Sequence, residues 1–133
     1  MRYENENGWC DVQEGLEFID QVEQHREDQT AGDPGLLQTD IGHLEGFRQA
    51  AEKTASACRQ KINMLETKRG QLKGQEAFAK LDQAIARLDQ VLYQCTDLSE
   101  ELSRAIDRTR CKQRSWEAQA ALSSQTRPAG TSS

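Results

Sequence analysis

The side chains best suited to nucleophilic, redox or metal chemistry are four cysteines, Cys10, Cys58, Cys95 and Cys111, and two histidines, His25 and His43. No two of the cysteines form a C-x-x-C pair, and their spacings are too long for a local zinc knuckle. Cys58 and Cys95 fall on apolar helical rows, where a thiol acts as a small buried hydrophobe, and a reducing compartment goes with that use. A Cys–His catalytic pair requires a tertiary meeting that spacing does not specify, and the histidines read as surface residues. No P-loop, G-x-G-x-x-G, H-E-x-x-H or G-x-S-x-G occurs. The expectation is no metal, no cofactor and no enzymatic activity.

A different chemistry belongs to "RTRCKQRSW", residues 108–116. Arg108, Arg110, Lys112 and Arg114 recur at every second residue, so on a helix they spread around the cylinder. Trp116 offers a ring on which a base could stack. As a binding patch this stretch would take an anionic ligand. As plain structure it is a cationic helix end, suited to the negative end of the helix dipole.

Composition bounds these readings. The 133 residues are 35 % hydrophobic and only 5 % aromatic, with a net charge of −5. That balance argues against a generic nucleic-acid binder and leaves little for a thick core. Charge is uneven. Residues 1–30 carry nine acidic and two basic side chains, whereas residues 108–133 carry one acidic and five basic, so the two ends could attract each other or serve different partners. No apolar run reaches the ~18 residues of a membrane span. The start, MRYENENGW, has no apolar leader core. The expected compartment is the cytoplasm, with export by a route that needs no Sec-type leader as the alternative.

The elements that would position these residues are helical. Ala, Leu, Gln, Glu, Lys and Arg dominate, and β-branched residues are sparse. A first segment, about residues 8–28, has an apolar stripe of Trp9, Val12, Leu16, Ile19 and Val22, widened by Phe18, opposite an acidic face of Asp11, Glu14, Glu17, Asp20 and Glu23. "DQTAGDPG" breaks the helix, and Asp33-Pro34 reads as an N-cap followed by proline at the first helical position. A second segment, about 35–68, places Leu37, Ile41, Leu44, Ala51, Ala55, Cys58, Ile62 and Leu65 on one stripe, with Arg48 in a core-like slot. Gly42, Gly46 and Ala50 make a small-residue face that a neighbour could approach. A third segment, about 75–121, has a seam of Phe78, Ile85, Leu92, Ser99 and Ile106 with Leu81, Leu88, Cys95, Leu102 and Thr109. The row Ala77, Ala84, Val91, Leu98 and Ala105 widens it to the face of a bundle helix. The tail, residues 123–133, reads as disordered, so residues 1–122 make one domain.

The stretch "KRGQLKGQEAFAKL" decides how the two long segments meet. Continued in register, the second stripe reaches Leu72 and then misses Phe78 and Leu81. One rod would put the two stripes on different sides, whereas a reversal between Gly70 and Gly74 faces them, with glycine as the usual left-handed helix terminator. The expected fold is all-α: a long antiparallel helical hairpin, coiled-coil-like, with a short additional N-terminal helix. A turn centred on residues 73–74 would set Leu65 near Leu81 or Asp82 and keep Cys58 about 9 Å along the axis from Cys95, too far for a disulfide.

A hairpin whose turn carries Leu72-Lys73-Gly74, then Glu76-Ala77-Phe78 and the Leu81/Leu88/Leu92 face, resembles the WXG family of type VII secretion substrates and the related LXG-type helical domains. The resemblance covers residues 37–109, with leucine where WXG proteins carry tryptophan. It implies a non-catalytic hairpin that pairs with a second hairpin and is exported or assists export of a toxin. The family's Tyr-x-x-x-Asp/Glu export signal would correspond to Tyr93 and Asp97. The function expected is a protein–protein interaction module that binds itself or another helical protein through Val91, Leu92, Leu98 and Leu102, left open beyond what one facing helix covers. The alternatives are a phage or mobile-element inhibitor acting on a host factor through its acidic face, and a nucleic-acid-associated protein using Arg108, Arg110, Lys112 and Arg114.

Overall fold

The structure, a computed structural model, describes residues 2–28 and 32–131, with side chains as far as Leu122. The described residues are all-α and form three helices: α1 (Val12–Glu27), α2 (Pro34–Gln71) and α3 (Gln75–Thr131). α2 and α3 form the expected hairpin, and α1 packs across both. The expected disordered tail overlaps the end of α3, which runs through Thr131. The side chains of 123–131, and Ser132 and Ser133 altogether, lie outside the described residues.

Local chemistry sets the helix ends. Asp11 caps α1 by accepting from the Glu14 N–H at 3.1 Å, so α1 starts later than its apolar spacing suggests. The residues before it form a hook instead. Asn5 Oδ1 accepts from the Asn7 and Trp9 N–H groups, Gly8 turns the chain at a φ of +76°, and Glu4 and Cys10 form an isolated antiparallel bridge. The Asp33-Pro34 start forms as expected, with Asp33 Oδ1 accepting from Gly35 N–H at 2.9 Å and Pro34 in the first turn of α2.

The connector between α2 and α3 is Leu72-Lys73-Gly74. Its chemistry corrects one expectation. Neither Gly70 nor Gly74 has positive φ. Gly70 lies inside α2, and the helix ends on extended Leu72 (φ −84°, ψ 147°), whose N–H donates to Arg69 O at 3.2 Å. An extended residue carries the chain about 3.3 Å onward, so α3 begins beyond the end of α2 and overshoots it. The register changes accordingly. Asp82 pairs with Arg69 at 2.8 Å, one helical turn from the expected Leu65, and Gln113 Nε2 donates to Gln38 at 2.7 Å.

The core sits at the end of the hairpin where α1 lies. Phe18 and Val22 of α1, Leu44 and Phe47 of α2, and Leu98, Leu102 and Ile106 of α3 form one buried cluster. A fully buried Leu, Ile or Phe contributes about 1.5–3 kcal/mol, so most stability resides there. The face of α1 differs from the expected stripe. Gly15, Phe18, Ile19, Val22 and Arg26 are buried, while Leu16 is 41 % exposed. Glycine explains the rotation: a Cβ at position 15 would meet Leu98 Cδ2 at 3.0 Å, so α1 packs tightly against α3 here.

Candidate interaction surface: the two-helix arm

Beyond the reach of α1 the hairpin is only two helices thick. Ile62 is the last buried residue of α2, and Cys95 is the first buried residue of α3. From Gln75 to Gln94 α3 advances about 30 Å with no buried side chain. Its apolar positions Phe78, Leu81, Ile85, Leu88, Val91 and Leu92 are half-buried, as are Leu65 and Leu72 across from them. Two facing helices cover only part of so wide an apolar face, and the remainder stays accessible. Two large apolar side chains at the base of the arm are open outright, Met64 at 59 % and Tyr93 at 74 %. Polar contacts close the tip. Arg69 pairs with Asp82, and its guanidinium lies 5.6 Å from the Phe78 ring centroid.

The residues singled out for partner binding separate into two groups. Val91 and Leu92 are half-buried at the edge of the core. Leu98 and Leu102 are buried within it, which corrects the expectation that they lie open. The covering element for Leu98 is α1, which closes over it at Gly15, and Leu102 shares the core cluster with Phe18, Ile19 and Val22 of α1. Tyr93 and Asp97 are both exposed, one helical turn apart on α3.

The basic stretch divides between two grooves. Arg110 and Arg114 line the α2–α3 groove beside Gln38 and Glu45, and Arg110 donates to Glu45 at 2.5 Å. Arg108 and Lys112 face the other side, beside Arg26 and Glu27 of α1. Trp116 is 7 % exposed, so its ring belongs to the packing and offers no open stacking face. On α1, the acidic residues Glu17, Asp20 and Glu23 are exposed.

The histidines are half-buried and partnered, contrary to a surface reading. His25 Nδ1 lies 2.8 Å from the buried Asp40 carboxylate, and Tyr3 Oη lies 2.6 Å from His43 Nδ1. Arg26, one residue on, is buried and donates to Thr109 Oγ1 at 2.8 Å. Burial and the neighbouring Arg108 lower its pKa. The His25–Asp40 and Arg26–Thr109 contacts tie the end of α1 to both long helices. Sequence spacing did not single out Arg26 or Asp40. The one signal was Thr109, a polar residue on an apolar seam.

Three of the four cysteines are buried, and all four are free thiols. Cys10, carried in by the hook, donates its N–H to Thr54 Oγ1 of α2 at 2.8 Å. Interaction with the Cys95 thiol, together with burial, raises the Cys10 pKa, and the same interaction lowers that of Cys95. Burial raises the Cys58 pKa, and a Cys95 charge adds to the effect. The overshoot of α3 thus brings Cys58 and Cys95 nearer than the expected register allowed. Among the described residues no group of three His, Cys, Asp or Glu side chains could hold a metal ion, and no helix is long and apolar enough to cross a membrane. No family model, no curated protein and no solved structure matches the chain.

Proposed function

We propose that this protein is a non-catalytic helical docking module. The three-helix end is a rigid base, and the two-helix arm pairs with a second hairpin, supplied by another copy or by a separate helical protein. The observation that carries this reading is the row Phe78, Leu81, Ile85 and Leu88, left half-buried along about 15 Å of α3. A second pair of helices laid on the arm would bury that row, as in a four-helix bundle. The connector Leu72-Lys73-Gly74 followed by Glu76-Ala77-Phe78 supports a type VII-like special case. In that case the module is an export substrate or a toxin-targeting partner, with Tyr93 and Asp97 as the exposed signal.

Sedimentation velocity across a range of protein concentrations tests the docking surface. Wild type should associate, or form a stoichiometric complex with a purified helical partner. Met64→Glu combined with Ile85→Glu should abolish association and keep most of the helicity. A wild-type chain that stays monomeric at high concentration and binds no such partner would sink the proposal. Co-expression with a type VII export machine, comparing wild type with Tyr93→Ala, tests the special case separately.

A further inference from the structure

The rows of α2 and α3 that meet α1 continue along the arm, and there they turn basic. On α2, Asp40, Phe47 and Thr54 recur by sevens and face His25, Gly15 and Cys10 in turn. The next two positions of that row are Lys61 and Lys68, both exposed. Lys61 keeps to the same side, with its Nζ 5.2 Å from the ring centroid of Trp9, where the hook joins α1. On α3, the row against α1 is Leu98 and Ala105, which meet Gly15 and Arg26. Its members in the arm are Ala77, Ala84 and Val91, all half-buried. Three residues on, along the outer edge of that row, stand exposed Lys80 and Arg87 and, at the base, Arg108. Arg108 lies beside Glu27 of α1. Among the described residues, Lys61, Lys68, Lys80 and Arg87 form no ion pair. The opposite edge of the arm differs, because Arg69–Asp82 closes it.

We infer that the α1 side of the arm is the seat of an acidic amphipathic helix from a separate protein, laid end to end with α1. This rests on the docking reading above and names the helix that fills the groove. The walls fix its charge. Lys61 and Lys68 stand on one side and Lys80 and Arg87 on the other, each pair about 10 Å apart. A helix with carboxylates on both flanks of its apolar stripe, at heptad spacing, meets all four, whereas a basic helix is repelled by all four. The floor fixes its bulk. Ala77 and Ala84 leave room for large apolar side chains against Leu81 and Leu88. At the base, α1 already seats in this manner, with Phe18, Ile19 and Val22 inward and Glu27 beside Arg108. The hook does not extend α1 into the groove, because Gly8 turns the chain and the Tyr3 ring seats on Gly46, toward the base. A second copy is the poorer occupant. The acidic amphipathic helix of this chain is α1, and its apolar face is committed to its own core.

The probe is a fluorescent peptide of about 20 residues, about 30 Å long as a helix, with leucine at the core positions of each heptad and glutamate on both flanks. A second peptide carries lysine in place of glutamate. Anisotropy titrations against the full-length chain should show saturable binding of the glutamate peptide, weakening as salt rises. The lysine peptide should bind at least about tenfold more weakly. Lys68→Glu combined with Arg87→Glu should reverse that preference and leave the circular dichroism unchanged, since both side chains are exposed. Glu66→Lys should leave the preference unaltered, because Glu66 continues by sevens the row of Glu45, which pairs with Arg110 in the opposite groove. Equal binding of the two peptides, or a preference that survives the double reversal, would overturn the inference. Self-association that excess glutamate peptide does not disturb would overturn it too, while leaving the docking module standing. A chain that neither self-associates nor takes either peptide would overturn both.

Discussion

Gly15 of α1 and Leu98 of α3 are in contact at the place where the three helices meet. A Cβ on Gly15 would stand 3.0 Å from Leu98 Cδ2 and 3.5 Å from Phe47 Cδ1. Gly15→Leu should therefore force α1 off the hairpin and cost about 1–3 kcal/mol. Gly15→Ala gains up to about 1 kcal/mol of helix propensity against a small shift of a flexible leucine tip, so it should lie close to wild type. Urea titrations of the two variants check the contrast. Equal stabilities would show that α1 is not seated at this point.

The polar ties at the other end of α1 give a second expectation. Asp40→Ala removes the partner of His25, and Arg26→Met keeps the aliphatic stem while removing the donors to Thr109 and Ala105. Each should cost about 1 kcal/mol, the worth of a lost hydrogen bond, because His25 keeps access to water and Thr109 Oγ1 still donates to Ala105 O. The two ties hold the same last turn of α1, so their effects should add only in part. Thermal melts of both single variants and the double variant measure this.

Turn chemistry gives a third. Gly70 is helical, and a Cβ added there would meet nothing within 4 Å. Gly70→Ala should raise stability by about 0.5–1 kcal/mol, and Gly74→Ala should be near neutral, since neither residue has positive φ. A marked loss in the Gly74→Ala melt would mean that the connector depends on a left-handed residue.

Protection should also be graded along α3. Amides between Gln75 and Gln90 lie where no side chain is buried, and those between Cys95 and Thr109 lie in the core. Local opening is easier where few apolar contacts hold a segment. Hydrogen exchange should be faster in the arm by orders of magnitude, and a docked partner should slow it there selectively. Uniform protection along the helix would contradict this gradient.

The helices themselves were legible because heptad spacing and the Asp33-Pro34 cap act within a few residues. The reversal was legible because Leu72 and Phe78 fall out of phase. Register was not, since it depends on how far extended Leu72 carries the chain before α3 begins. Nor was the fate of Leu98 and Leu102, which turns on one glycine in another helix. Two surface motifs show the same limit. Gly46, part of the small-residue face, is approached by the Tyr3 ring, where a Cβ would come within 2.7 Å of Cζ, whereas Gly42 has open space. The hook that delivers Tyr3 and Cys10 follows from Asn5 and Gly8 acting together, and hydrophobic periodicity does not register such loops.

The placement of the core has a kinetic consequence. The buried side-chain contacts of the core join residues far apart in sequence: Arg26 with Thr109, 83 positions apart, and Arg26 with Ala105, 79 apart. Near the turn, where chain closure is least costly, Arg69 and Asp82 are only 13 apart but sit on the surface beside half-buried neighbours. Closing the longer span costs about 2 kcal/mol more chain entropy than closing the shorter one. Zipping from the turn therefore begins at the weakest part of the seam, and its early products have little to hold them. The search that limits folding is the meeting of the two ends of the hairpin with α1, so this protein should fold more slowly than its helix content suggests.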